Sequence, residues 1–154
     1  MQTAENLQID ILIATNNDIH ELAILAQSWA AEMEYKVQLE EIEEDLKRMV
    51  STGVVIFSRQ CGEIVGMMSG FITYHYWVHE KTAHEHWFFV RPDKRNLGIG
   101  DILLDAFMAW AKSMQCNSVI VSPNKFGSLR PEILAKYLFK KGYDFHGFQM
   151  RRIF

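Results

Sequence analysis

Two glycines lie in a basic turn between an apolar run and a helix pattern. The turn reads Arg95-Asn96-Leu97-Gly98-Ile99-Gly100 and follows the run "HWFFV". A helix N-terminus presents unpaired N–H groups and partial positive charge, and glycine lets an anion approach the backbone without a Cβ in the way. Arg91 and Lys94 precede the turn and, with Arg95, add positive charge beside it. The residue types therefore predict a phosphate-binding turn.

Three known phosphate-binding patterns can be compared with this turn. A Walker loop requires Lys and Ser or Thr after the last glycine, whereas Asp101 and Ile102 follow Gly100 here. A dinucleotide fingerprint requires a third glycine, at the position that Leu103 occupies. The pattern [Q/R]-x-x-G-x-[G/A] is matched in full by Arg95, Gly98 and Gly100. The third pattern is therefore the one that we adopt.

The stretch "AHEHWFFV" carries the candidates for proton transfer. Histidine is a competent general base near neutral pH. The candidates on this stretch are His86, His84 and Glu85. Strict strand alternation puts His84 and His86 on one face with Phe88 and Val90, and Glu85 on the other with Trp87 and Phe89. A β-bulge would change that assignment.

Two other kinds of site are weighed against this one. His75, His79, His84 and His86 lie within twelve residues and could form a metal site, but neither a cysteine nor paired carboxylates complete a tetrahedral set. The aromatic stretch "FITYHYWVHE" lacks the interleaved basic residues of a nucleic-acid stacking surface. We therefore expect neither a metal nor a nucleic-acid partner, with a histidine-cluster metal protein kept as an alternative.

Composition favours one cytoplasmic domain over residues 1–154. The chain has 154 residues and a formal net charge of -3, so it lacks the basic field of a typical nucleic-acid binder. No apolar run reaches the ~18 residues that a membrane span requires. Its two cysteines, Cys61 and Cys116, form no CxxC motif, which favours free thiols in a reducing compartment.

Periodicity predicts a mixed α/β fold in the order β-α-α-β-β-β-α-β-α-β. Helical spacing marks two segments before residue 54, where Asp18 and Glu21 are spaced as a capping box. In "LEEIEEDLKRMV", the carboxylates form a solvated face with i,i+4 pairs Glu43–Lys47 and Glu44–Arg48. A hairpin, a third antiparallel strand, two further helices and a last strand in "YDFHGFQMRRIF" complete the pattern.

With its glycine turn between a strand and a helix, the chain resembles the GCN5-related N-acetyltransferase (GNAT) superfamily over nearly its whole length. The resemblance implies a GNAT-like fold, with a central sheet of six to seven strands flanked by about four helices. It also implies acetyl-CoA as co-substrate. In that reading residues 95–100 cradle the pyrophosphate, with Asp101 opening the helix. The backbone of Phe88, Phe89 and Val90 faces the pantetheine arm, on a strand that splays from its parallel neighbour.

The resemblance also assigns catalytic roles, with two departures. Many relatives carry a glutamate four residues before the valine that matches Val90, and this chain has His86 there. Many carry a tyrosine as general acid four residues before the glycine that ends the penultimate helix. Here Leu138 stands at that position and Tyr137 one residue earlier. Because one residue rotates a side chain by ~100° around a helix, Tyr137 is a weaker candidate.

The resemblance implies transfer of an acetyl group to a primary amine of a small molecule or peptide, by direct attack in a ternary complex. In relatives the first two helices and the hairpin tip face the acceptor, which here points to Trp29 and Tyr35 together with Tyr76 and Trp77. Acidic Glu32 and Glu34 and the neighbouring His79 join this set. A homodimer through the last strand or the hairpin is a further expectation. The alternative is a non-catalytic acyl-CoA-binding or partner-binding module of the same fold.

Overall fold

The computed structural model describes residues 8–123, 130–147 and 152. The chain divides into two compact units, Met1–Ser122 and Pro123–Phe154, so one domain over residues 1–154 stays a prediction. In the first unit the order is β1 (Ile9–Ile13), α1 (Ile19–Glu32), α2 (Leu39–Thr52), β2 (Val54–Gln60), β3 (Glu63–His75), β4 (Glu80–Val90), α3 (Ile99–Ser113) and β5 (Ser118–Ile120). The second unit contributes α4 (Pro131–Lys140).

The five strands form one sheet in the order β1-β2-β3-β4-β5. The first three pairings are antiparallel, and β4 pairs with β5 in parallel. The predicted mixed α/β class is therefore confirmed. The predicted count of six to seven strands is wrong for the described residues, because residues 143–147 of the expected last strand form no strand. Residues 148–151 and 153–154 of that segment lie outside the described part of the chain.

The sheet is packed on both faces. On one face α1 and α2 bury Leu22, Ala26, Ile42 and Leu46 against strand residues that include Phe57, Met67 and Phe89. On the other face α3 packs Phe107 against β3, so closely that a Cβ at Gly70 would lie 2.6 Å from the ring. The two faces of the sheet therefore provide two different environments for residues of β4.

Local interactions at α1 and α2 differ from the predicted ones. The capping box joins Thr15 and Asp18, whose carboxylate accepts from the Thr15 N–H at 2.8 Å, so Asp18 takes the acidic place in the box and Glu21 is not part of it. On α2, Glu43 pairs with His20 of α1 at 2.7 Å. Arg48 pairs with Asp45 at 3.4 Å, not with Glu44. One contact between the helices and one i,i+3 pair within α2 thus replace the predicted i,i+4 pairs.

In the described part of the chain, no helix has the length and apolarity needed to cross a membrane.

Candidate active site

A β-bulge in β4 sets the geometry of the predicted catalytic stretch. Ser69 of β3 is paired with Trp87, but the next residue, Gly70, is paired with Glu85. His86 is therefore the extra residue, and two consecutive side chains of β4 leave the sheet on the same side. The shift breaks the alternation that the sequence alone predicts.

The bulge corrects the predicted faces. His86 contacts Asp45 of α2, and Trp87 and Phe89 pack on the core beneath α1 and α2. Glu85, opposite Gly70, lies on the face that carries α3, as does Phe88, which lies 3.6 Å from an ideal Cβ at Gly100. The expected grouping of His86 with Phe88, and of Glu85 with Trp87, is therefore wrong. His84 and His86 share a face as predicted.

His86 and Asp45 form a close ionisable pair. The distance from His86 Nε2 to Asp45 Oδ2 is 2.7 Å, and the two side chains are 34% and 21% exposed. The hydrogen bond from His86 lowers the pKa of the Asp45 carboxyl below its ordinary value, helped by the charges of His86 and Arg48, whereas burial opposes the shift. Asp45 is therefore ionised at neutral pH and acts as a hydrogen-bond acceptor.

The other two candidates on β4 have different surroundings. His84 stacks on Phe71, with ring centres 5.4 Å apart, and its Nε2 is 2.8 Å from Thr73 Oγ1. Glu85 is half-buried and accepts from the Ser122 N–H at 3.3 Å. Burial raises the pKa of the Glu85 carboxyl above its ordinary value. Three adjacent titratable residues thus occupy three distinct environments.

The pairing of β4 with β5 stops within the sheet. The last pair is His84 with Ile120, whereas β4 continues to Val90. In the described chain, Phe88, Phe89 and Val90 therefore have no strand partner on the β5 side. Along that edge Val90 O accepts from Arg95 Nε at 2.9 Å, and contacts of the remaining backbone groups with pantetheine stay a prediction.

The glycine turn has the geometry of an anion cradle. Gly98 has φ +79°, in the left-handed region, and an ideal Cβ there meets nothing within 4 Å. At Gly100 a Cβ would meet only Phe88, at 3.6 Å. Ile102 N–H bonds back to Gly98 O, and among the described residues no acceptor is recorded for the N–H groups of residues 98–100. The open space and the unpaired donors suit a phosphate.

Two of the three cations beside the turn, Arg91 and Arg95, are held by carboxylates. Arg95 makes a bidentate contact with Glu32 at 2.7 and 2.8 Å, and its Nε donates to Val90 O at 2.9 Å. Arg91 is bound by Asp93 and Glu63. Arg95 therefore joins the end of α1 to the turn.

The predicted acceptor residues separate into two groups. Trp29 lies 6.4 Å from Tyr35 and 5.2 Å from Trp87, between ring centres, and forms an aromatic wall close to His86. Tyr76 and Trp77 lie in the β3–β4 turn, 76% and 97% exposed. Trp77 precedes the start of β4, from which Trp87 is about 23 Å away at ~3.3 Å per residue. One acceptor site containing all four residues is therefore not formed.

Two further expectations concern Tyr137 and the histidine cluster. Tyr137 lies on α4 in the second unit, with the Lys141 ammonium 5.8 Å from the centre of its ring, and its role as general acid stays a prediction.

Within the first unit, His79 Nδ1 is 3.1 Å from the Tyr74 hydroxyl. The described residues contain no group of three or more His, Cys, Asp or Glu side chains arranged to hold a metal ion.

Sequence reasoning missed Asp45, Trp87 and the tie between Glu32 and Arg95. Asp45 was grouped with the solvated carboxylates of α2, yet it lies next to Leu46 and three residues after Ile42, both buried. That position at the edge of the apolar stripe was the available signal, because it faces the neighbouring layer. The position of Trp87 and the tie between Glu32 and Arg95 depend on contacts between residues that are far apart in the sequence.

Comparisons with known proteins agree with this geometry. A family model described as the acetyltransferase (GNAT) family matches residues 16–129. No curated protein matches the chain in sequence.

Solved structures share the fold at low sequence identity. A Trypanosoma brucei acetyltransferase is similar with a TM-score of 0.73 and 21% identity, over 96% of this chain and 100% of that one. A ribosomal-protein-alanine N-acetyltransferase from Brucella melitensis biovar Abortus 2308 has a TM-score of 0.73 and 17% identity, over 94% and 97%. For glucosamine-6-phosphate N-acetyltransferase from Arabidopsis thaliana the values are 0.71 and 19%, over 96% and 99%.

Proposed function

The chain belongs to the acetyltransferase (GNAT) family, and we propose that it transfers the acetyl group of acetyl-CoA to a primary amine by direct attack in a ternary complex. One observation carries the proposal. The open edge of β4 ends beside the glycine turn, since Val90 O accepts from Arg95, and His86 projects from the same strand at the bulge. This arrangement supports a donor site and a base on one strand.

Acetyl-CoA fits the residues that surround the turn. The N–H groups of residues 98–100 are the donors for its pyrophosphate. Asn96 and Leu97 complete the turn, and α3 begins at Ile99, so that Asp101, predicted to open the helix, lies within its first turn. Lys94, for which no carboxylate partner is recorded among the described residues, supplies a nearby cation. The backbone of Phe88, Phe89 and Val90 is available to the pantetheine arm.

The bound thioester supplies an activated acetyl group, and the protein has to remove a proton from the attacking amine. A primary amine is largely protonated at neutral pH because its pKa is about 10. His86 is the best-placed base, since it is accessible and carries a second ring nitrogen beyond the one bound by Asp45. His84 is engaged by Thr73, and Glu85 lies on the other face of the sheet. Thiolate departure does not strictly need a general acid because a thiol has a pKa of about 8.5.

The acceptor is an amine of a small molecule or a peptide. The structural relatives named above act, by their descriptions, on an alanine of a ribosomal protein and on glucosamine-6-phosphate. In this chain the half-exposed wall of Trp29, Tyr35 and Trp87 lies beside His86 and suits a group attached to the amine. Tyr76 and Trp77, at the hairpin tip, are not part of this wall.

The first test is titration of the protein with acetyl-CoA, comparing Gly98→Ala with Gly62→Ala. Both glycines are left-handed, at φ +79° and +82°, and neither has an atom within 4 Å of a built Cβ. Each alanine should therefore cost a similar ~1–2 kcal/mol of backbone strain. Only Gly98→Ala puts a methyl group where the pyrophosphate lies, and we expect it alone to weaken binding by at least ~10-fold, about 1.4 kcal/mol.

Binding must be followed by turnover on a set of primary amines, with His86→Ala as the variant that lacks the base. We expect the rate of His86→Ala to fall by roughly 10²- to 10⁴-fold with acetyl-CoA affinity unchanged. Failure of the native protein to bind acetyl-CoA would overturn the proposal. Tight binding without turnover on any amine would favour the acyl-CoA-binding module instead.

A further inference from the structure

We propose that Asp45 is a positioning residue for His86: its carboxylate holds the Nε2–H, fixes the tautomer of the ring and so leaves Nδ1 as the atom that takes the proton of the amine. The inference rests on the proposed function, in which His86 is the base. It adds a residue from α2 to a site otherwise built on β4 and the turn before α3.

The contact between the two side chains is short and is anchored from the α2 side. Asp45 Oδ2 and His86 Nε2 are 2.7 Å apart, and Asp45 Oδ1 forms an ion pair with Arg48 Nη2 at 3.4 Å. Asp45 stands on a helix whose stripe of Ile42, Leu46 and Met49 is buried. The carboxylate is therefore supported by a packed helix, and the imidazole is the more exposed partner.

The chemistry of the pair decides the tautomer. An ionised carboxylate has no hydrogen to donate, so the nitrogen facing it must carry the proton. A neutral imidazole has one N–H and one basic nitrogen, which places the lone pair on Nδ1. Among the described residues no hydrogen-bond partner is recorded for Nδ1. That nitrogen is thus available to an incoming ammonium group.

The proposed step is balanced in protons and electrons. One proton of the ammonium group passes to Nδ1, and the freed lone pair forms the N–C bond to the acetyl carbon. The C–S bond breaks and its electron pair leaves on the coenzyme A sulfur, and the second proton that the nitrogen loses in becoming an amide passes to that thiolate. The ring is then a cation with both nitrogens protonated, and the Asp45 carboxylate stabilises it until the proton passes to solvent.

The other charged and titratable groups around His86 include both cations and carboxylates. Arg48 on α2 partly neutralises Asp45. His84 lies on the same face of β4, and His75 on β3 is 3.5 Å from the same Thr73 hydroxyl that contacts His84. On α1, Glu32 is bound by Arg95. Glu85 lies on the opposite face of the sheet. Asp45 is the carboxylate in direct contact with His86.

The test compares Asp45→Asn with Glu44→Gln. Both changes remove one negative charge from α2, and Glu44 is exposed. With acetyl-CoA and a panel of phenethylamine, glucosamine and an alanyl tripeptide, we expect Asp45→Asn to lower kcat by ~10²-fold, within the range of a positioned base. Glu44→Gln should match the native protein in kcat, and acetyl-CoA affinity should be unchanged in both variants.

A spectroscopic readout makes the inference independent of turnover. Nitrogen-15 NMR of the imidazole at alkaline pH, where the ring is neutral, should show His86 protonated at Nε2 in the native protein and in Glu44→Gln. Asp45→Asn should populate the other tautomer, and Asp45→Glu should restore the native one at least in part. Where Asp45→Asn fails to fold, Asp45→Glu carries the comparison, and a native His86 protonated at Nδ1 overturns the inference by itself.

The outcomes separate this inference from the proposed function. A native His86 protonated at Nδ1, or an Asp45→Asn variant equal to Glu44→Gln in rate and tautomer, overturns the role of Asp45 and leaves acetyl transfer intact. Loss of acetyl-CoA binding or turnover in the native protein overturns the function, and then the Nε2 tautomer would describe only a structural pair.

Discussion

At the scale of single residues, the environment of a titratable group follows from which side of the bulge it lies on. His86 contacts Asp45, whereas Glu85, its neighbour in sequence, is half-buried on the opposite face against the Ser122 N–H. Histidine and glutamate are both acceptable bases in principle. The structure distinguishes the two, because the His86 imidazole is accessible and the Glu85 carboxyl is half-buried on the opposite face of the sheet.

Replacement of Glu85 by Gln should stabilise the protein in a pH-dependent manner. Because burial raises the pKa of Glu85 in the folded state, ionisation of this group destabilises the native protein as pH rises through and above its ordinary pKa. Gln keeps an oxygen that can accept from Ser122 N–H. We expect Glu85→Gln to raise Tm by a few degrees at neutral pH and to lose that advantage below about pH 4.

Thermal melts of Glu85→Gln at several pH values check this expectation. Glu80→Gln, at the exposed start of the same strand, serves as the control and should leave Tm unchanged at every pH. A gain in Tm that does not vary with pH would show that the burial of the charge is not its cause.

At the scale of secondary-structure elements, the tie between α1 and the turn before α3 joins the two halves of the site. Glu32 at the end of α1 holds the guanidinium of Arg95, and one turn earlier Trp29 stands in the aromatic wall. Arg95 therefore links the turn to the end of α1 through its guanidinium group. The same helix end contacts both the cradle and the acceptor wall.

Removal of this tie should weaken acetyl-CoA binding by a small factor. In Glu32→Gln the bidentate ion pair is lost, and we expect the Kd for acetyl-CoA to rise roughly 2- to 5-fold, as for a partly exposed pair worth ~0.5–1 kcal/mol. Calorimetric titration measures the change, with Glu34→Gln, two residues further along and exposed, as the control. Tighter binding by Glu32→Gln would mean that Arg95, once released, binds the phosphate directly.

At the scale of the whole molecule, the packing of α3 on the sheet determines where the cradle lies. At Gly70 an added Cβ would meet Phe107 at 2.6 Å as well as the backbone oxygen of His84. The absence of a side chain at this position lets α3 lie close to β3. The five-stranded sheet of the structure agrees with the family to which the sequence was assigned.

A side chain at Gly70 should therefore destabilise the protein globally. We expect Gly70→Ala to lower the free energy of unfolding by about 1–3 kcal/mol, the usual cost of overpacking. Gly100→Ala, where the nearest atom is at 3.6 Å in a helix, should be neutral or slightly stabilising. Denaturant unfolding of the two variants compares them, and equal stabilities would show that α3 can move away from the sheet without loss.

Much of the fold and part of the site could be predicted from local patterns. The glycine turn, the hairpin, the helices and the position of His84 and His86 on one face all depend on residues close together in sequence, and spacing alone carries that information. That residues 143–147 form no strand and that Glu43 pairs with His20 could not be predicted in this way. They depend on which distant segments meet.

The sequence by itself determined the family, the order of the elements in the first unit, and a glycine turn at the start of α3, because each depends on the spacing of neighbouring residues. The tertiary structure alone decided that Trp87 joins His86 on one face, that Asp45 faces His86, and that Arg95 is held by Glu32. The physical reason is that a bulge and long-range ion pairs depend on strand register and on the packing of helices against the sheet. Neither is encoded in the spacing of residues along one segment.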